Sequence, residues 1–217
     1  MFVGHAAVAL AARSRIPSIP LGWLFAATFG LDLLWPVFLL LGVERVTIAP
    51  GATAFSPLVF DSYPWSHSLA MALVWGAAAF ALARGLHRSA GEAAVLGGLV
   101  ISHWVLDYVT HVPDLPLWPG HSPHVGLGLW QSVAGTLLIE GAMYLAGIYL
   151  YFRTTRPRDR IGAVGLGVLL FLCAALWAPG PIAAPPPSAR ALAWFTLGLW
   201  LFVAWAGWAD RHRVARR

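Results

Sequence analysis

The sequence predicts an all-α fold, a polytopic membrane helix bundle of about six spanning helices preceded by a short N-terminal half-helix. Three observations predict it. Only 11% of the 217 residues are charged and 59% are hydrophobic, whereas roughly a quarter of a soluble domain is charged. The mean hydropathy is +0.71. The basic residues, all of them arginine, gather in short clusters between apolar runs.

The first apolar segment, 2–12, is about half the length of a span and is read as the half-helix or a re-entrant piece. It lacks a basic region ahead of it, and Arg13 and Arg15 follow it, so a cleaved signal peptide is not expected. Spans are expected over 21–41, 67–86, 91–111, 127–152, 161–178 and 190–208. Turn residues separate them: Pro50-Gly51, Pro57 and Pro64 after the first, and the proline-rich stretch 113–120 after the third. Pro185-Pro186-Pro187 precedes the last. The chain reads as one membrane domain, with site-bearing helices in 1–152 and two scaffold helices plus a basic tail in 153–217.

Six spans put Arg13, Arg15, Arg84, Arg88, the arginines of 153–160 and those of 211–217 on one side, leaving only Arg45 and Arg190 opposite. The positive-inside tendency makes the crowded side cytoplasmic, with both termini there, in an inner membrane. Trp65, Trp118, Trp130 and Trp177 then fall at the outer interface and Trp23 and Trp208 at the inner one, as aromatic belts require. This placement accounts for the +5 formal charge without a nucleic-acid partner. The single cysteine, Cys173, rules out an intrachain disulfide and reads as a small apolar filler.

Ionisable side chains inside a span are costly and usually serve function. Here they are Asp32, His103, Asp107 and Glu140, with His67 opening the second span, His111 closing the third and His5 in the half-helix. Counted up from the cytoplasmic end at about 1.5 Å per residue, His5 lies about 12 Å in, Asp32 about 16 Å, His103 about 18 Å and Glu140 about 19 Å. Asp107 and His67 come out at about 24 and 25 Å. Residues from five segments thus converge on one layer in the outer half of the membrane.

His103, Asp107 and His111 recur every fourth residue and share a helix face. One ion can take His103 with Asp107, whereas His111, about 12 Å from His103, suits a second ion, the entrance or the substrate. A nitrogen and oxygen donor set favours zinc, manganese or iron. Asp114 reads as a ligand or a loop cap. His121 and His124 read as surface loop residues, and His87 and His212 as solvated beside arginines.

The order Gly4-His5, Leu31-Asp32, Ser66-His67-Ser68 and His103-x-x-x-Asp107 resembles the bacterial inner-membrane, metal-dependent hydrolases typified by a LexA-regulated membrane protein, distantly similar to zinc-dependent phospholipase C. The resemblance implies that His5, Asp32, His67, His103 and Asp107 are ligands or catalytic residues; the expected arrangement has His5, Asp32, His103 and Asp107 holding the metal and Glu140 or His67 acting as acid or base. It implies hydrolysis of an ester or phosphoester, and the depth of the site suits a lipid-like, amphipathic substrate met at His111, Asp114 and Trp118. Two family positions differ: the usual second aspartate of Pro-Asp-x-Asp is Leu34, and a usual histidine is Ser62. The same polar set could instead relay protons in a small permease, or fix helix packing in a non-catalytic scaffold.

Overall fold

The computed structural model describes residues 1–216. It is mostly helical. In chain order the helices are α1 (Val3–Arg15), α2 (Leu21–Thr28), α3 (Gly30–Leu40), α4 (Pro64–His67), α5 (Leu69–Gly85), α6 (Ala90–Thr110), α7 (Val133–Thr154), α8 (Leu166–Trp177), α9 (Ala189–Thr196) and α10 (Leu199–Arg211). A π-helical turn, Ile161–Gly165, runs into α8. The all-α expectation needs one amendment, since three short antiparallel ribbons join the loops. They are β1 (Arg45–Ile48) with β2 (Leu58–Ser62), β3 (Leu115–Pro116) with β4 (His124–Val125), and β5 (Thr155–Pro157) with β6 (Arg213–Ala215).

Serines start the principal helices. Ser68, Ser132 and Ser188 accept from the backbone N–H three residues on, and Ser89 forms a full capping box with Glu92 ahead of α6. Each such cap stabilises its helix by about 1 kcal/mol. Three helices, Ala90–Thr110, Val133–Thr154 and the continuous pair Ala189–Arg211, are long and apolar enough to cross a membrane. The pair α2 and α3 makes a fourth if its 56° bend lies within one span. The two other expected spans are shorter: α5, with 17 residues, rises about 26 Å, less than the about 30 Å of a bilayer core.

Large apolar side chains point outward along these helices, among them Leu73 and Leu82 on α5, Leu138 and Leu145 on α7, and Leu201 on α10. His5, His103, Asp107 and Glu140 point inward and are buried. That is the polarity of a bundle whose solvent is lipid.

Small residues let the helices meet closely, as membrane bundles require. A Cβ on Gly147 of α7 would stand 2.6 Å from the Ala7 carbonyl oxygen of α1, and one on Gly97 of α6 would stand 2.8 Å from that of Gly76 on α5. Gly22 and Gly207 bring α2 against α10 in the same way. The contact with α7 holds α1 deep in the bundle, where Val3, Ala6, Ala9 and Leu10 are fully buried. The N-terminal segment is therefore a 13-residue core helix.

The last two helices were expected to be scaffold, the second of them ending at 208 and followed by a basic tail. Asp210, near the end of α10, is nevertheless buried and accepts from Arg13 Nε at 3.0 Å, Tyr151 Oη at 2.6 Å and the Leu21 amide at 3.0 Å. The tail is not simply solvated either. Arg213 is buried, donates to the Gly162 carbonyl at 2.7 Å and stacks over Phe152 at 4.9 Å.

Candidate metal centre

The bend between α2 and α3 creates the first element of the site. Breaking the helix at Phe29 leaves the Thr28 carbonyl free, and His103 Nδ1 lies 2.7 Å from it. A carbonyl only accepts, so Nδ1 carries the proton and Nε2 keeps its lone pair.

His67 is fixed by a parallel device. The loop after α3 carries Glu44 back into the protein, where one carboxylate oxygen accepts from the Trp65 and Ser66 amides at 2.9 and 2.8 Å. The other accepts from Ser66 Oγ at 2.6 Å. With its proton directed at Glu44, the Ser66 hydroxyl accepts from His67 Nδ1 at 2.7 Å. His67 Nε2 is likewise left with its lone pair. Burial pushes the Glu44 carboxyl up from its ordinary value, and the hydrogen bonds from Ser66 and Trp65 pull it back.

Both Nε2 atoms face the same two carboxylates. His103 Nε2 is 3.0 Å from Asp107 Oδ2 and 3.8 Å from Asp32 Oδ1. His67 Nε2 is 3.5 Å from Asp32 Oδ1 and 3.8 Å from Asp107 Oδ2. His103 Nε2 is buried without a hydrogen-bond partner. A tetrahedral ion with bonds of about 2.1 Å separates its donors by about 3.4 Å. The four histidine–carboxylate contacts, 3.0–3.8 Å, bracket that edge length, and one triad of the four, Asp32, His67 and His103, has all its ligand atoms within 4.8 Å of one another. The donor set, two imidazoles and two carboxylates, suits zinc, manganese or iron.

His5 belongs to the cluster as well. Its Nε2 is 3.2 Å from the other Asp107 oxygen, Oδ1, and its ring stacks on His103 with centroids 3.7 Å apart. It can join a second grouping with His103 and Asp107, whose ligand atoms also lie within 4.8 Å of one another. The Met1 amino group also contacts Asp107 Oδ1. His5, expected as a ligand, thus groups with His103 and Asp107, and His67, expected as acid or base, groups with Asp32 and His103.

Glu140 lies beside the quartet rather than in it. It is fully buried, its Oε2 accepts from the Phe2 amide at 3.0 Å, and its Oε1 has no partner.

His111 leaves the face it was expected to share, because α6 ends at Thr110 and the His111 backbone is extended. It forms a separate group with Asp114, whose Oδ1 lies 2.9 Å from His111 Nδ1 and accepts from Tyr63 Oη at 2.9 Å. Burial beside Asp114 holds the Tyr63 hydroxyl well above its ordinary range, so it stays a donor. Trp118 is exposed and its indole donates to the His121 carbonyl at 3.0 Å.

One ligand opens outward. The Asp32 side chain is 24% exposed, whereas those of His67, His103 and Asp107 are 5% or less. Asp32 borders an apolar chamber of about 490 Å³ lined by Phe2, Phe55, Trp130, Leu192 and Phe202 among others. Such a volume holds a small ligand or a lipid chain segment. The last two helices are therefore a wall of this chamber as well as scaffold.

Sequence reasoning missed Glu44, Ser66 and Thr28. Ser66 was adjacent to a chosen histidine. Glu44 and the Thr28 carbonyl gave no signal, because one acts from a loop and the other is backbone. In comparisons with known proteins, no family model matches the chain, and neither a curated protein nor a solved structure is significantly similar to it.

Proposed function

We propose that this chain is a membrane-embedded, metal-dependent hydrolase acting on an ester or phosphoester of a lipid-like substrate, related to the inner-membrane hydrolases its motifs resemble. The observation that carries the reading is the quartet of Asp32, His67, His103 and Asp107. Two imidazoles and two carboxylates meet in one cluster whose four histidine–carboxylate spacings are close to the donor separations around a tetrahedral cation, and within it Asp32, His67 and His103 keep their ligand atoms within 4.8 Å of one another. The membrane placement is six spans in a bacterial inner membrane, both ends cytoplasmic and the quartet toward the outer leaflet, as the arginine distribution favours.

Zinc, or manganese or iron, held by the quartet supplies a Lewis acid for hydrolytic chemistry. The remaining roles belong to the chain itself. Thr28 and the pair Ser66–Glu44 fix the tautomers and ring orientations of His103 and His67, as outer hydrogen bonds do in metal sites. Glu140, with its unpartnered Oε1 behind Phe2, is placed to accept or return a proton. The chamber excludes water and takes the apolar part of the substrate, while Asp32 marks where it meets the polar centre. The group of Tyr63, His111 and Asp114 lies toward the mouth.

Metal analysis of the detergent-purified protein tests this. A stoichiometric transition metal is expected in the wild type, absent from His103→Ala and Asp107→Asn proteins that still elute as folded species. Wild-type protein free of metal after loading with zinc, manganese and iron would remove the reading. Leu192→Trp, which fills the chamber, should leave metal content unchanged and suppress hydrolysis of long-chain substrates.

One observation favours a second reading. His5 is hydrogen-bonded to Asp107, and His67 through Ser66 to Glu44, with His103 and Asp32 standing between the two at 3.0–3.8 Å, a polar row of the kind that relays protons in a small permease. That reading requires proton flux into liposomes by metal-stripped protein.

A further inference from the structure

Twelve of the fourteen arginines lie in clusters at the ends of apolar runs; Arg45 and Arg190 stand alone. Distant in sequence, the two meet at a single cavity of about 750 Å³ between β1 and α9. Its apolar side is formed by Leu39, Leu40 and Trp194, the last 59% exposed. We propose that this cavity binds the phosphate of an anionic membrane lipid, at a site distinct from the metal centre.

Among the described residues, neither guanidinium donates a hydrogen bond and neither has a carboxylate within ion-pair distance. Two carboxylates also border the cavity, one turned away from it and one hydrogen-bonded to another lining residue. Glu44 is turned inward to Ser66 and Trp65, and Asp61 accepts from Thr47 Oγ1 at 2.8 Å. Two cations without internal partners thus converge beside an apolar wall at the end of the bundle. A phosphodiester presents oxygens that guanidinium forks match bidentately. Leu39, Leu40 and Trp194 suit the glycerol and first methylenes of a lipid, with an exposed indole at the height where interfacial tryptophans sit. The β1–β2 ladder shifts register between Arg45 and Thr47, and both residues line the cavity.

The cavity shares a wall with the metal centre. Glu44 lines it, and Glu44 holds Ser66, which holds His67. A lipid seated there packs against the residue that orients one quartet histidine. The inference rests on the membrane placement proposed above and is independent of the metal.

The test is native mass spectrometry of protein reconstituted in equal parts phosphatidylglycerol and phosphatidylcholine, then extracted in mild detergent. Wild-type protein is expected to retain phosphatidylglycerol selectively. Arg45→Ala with Arg190→Ala should weaken that retention about tenfold or more. The double lysine variant should fall between, since lysine keeps the charge and loses the fork. Arg158→Ala with Arg160→Ala, exposed residues elsewhere, should match the wild type, and circular dichroism checks that each variant is folded. Equal phosphatidylglycerol retention by wild type and the Arg45/Arg190 double alanine variant overturns the proposal. So does displacement of the lipid by millimolar inorganic phosphate, which would make this a free-anion site. Failure of the membrane placement is separately visible as a protein that retains neither lipid and stays soluble without detergent.

Discussion

His103 Nδ1 lies 2.7 Å from the carbonyl oxygen of Thr28, a backbone group exposed by the 56° bend between α2 and α3. A break in one helix thereby sets the tautomer of a histidine on another. The same bend puts Asp32 in the first turn of α3, facing that histidine's other nitrogen at 3.8 Å. Backbone distortion and donor arrangement are one feature.

The outer hydrogen bonds should matter to metal affinity more than to folding. Ser66→Ala removes the acceptor of His67 Nδ1, and losses of this kind cost about 10- to 100-fold in affinity. Competitive chelator titration measures it, and an affinity equal to wild type would show that Ser66 does not orient the ligand.

His5 and His67 should separate cleanly. His67→Ala deletes a quartet member and should abolish stoichiometric metal. His5→Ala removes a brace on Asp107 Oδ1 and a stacking partner of His103, so metal should be retained with weaker affinity. If the two variants exchange these behaviours, the triad of His5, His103 and Asp107 is the true centre.

Helix contact at glycine gives a stability prediction that needs no ligand. Gly147→Ala drives a methyl to 2.6 Å from the Ala7 carbonyl oxygen, whereas Gly98→Ala on α6 meets nothing within 4 Å. The first should destabilise by about 1–3 kcal/mol. The second should be neutral or stabilising by up to about 1 kcal/mol, as alanine is the better helix former. Thermal unfolding in detergent compares them.

The clasp between β5 and β6 should loosen in acid. His212 Nδ1 at 2.7 Å and the Gly162 amide at 3.0 Å hold the Asp159 carboxyl below its ordinary value. A depressed carboxylate contributes its full stabilisation above the ordinary aspartate range, about pH 4. That contribution is lost as pH falls through the lowered value. Amide exchange in Arg213–Ala215 should therefore accelerate below about pH 4 relative to α6, and Asp159→Asn should remove this pH dependence while leaving the clasp weaker throughout.

Much of the molecule is written locally. Apolar run length and serine caps define where helices form, and a four-residue spacing puts His103 and Asp107 on one face whatever surrounds them. Counting rise per residue brings His5, Asp32, His67 and Glu140 near the same depth, because depth in a helix is additive along the chain. Rotation about the helix axis is not additive in that way. It is set by which surfaces pack, here by glycine contacts such as Gly147 against Ala7, and it decided that His67 rather than His5 faces Asp32. Non-local groups were beyond local reading altogether. Glu44 reaches Ser66 from a loop 22 residues earlier, Asp210 closes on Arg13 from the far end of the chain, and Arg45 meets Arg190 at one cavity. Composition and periodicity determined where the long apolar helices form and which of their polar residues share a face. Tertiary packing alone decided which lone pairs share a space, since that depends on helix rotation and loop path, which no local pattern encodes.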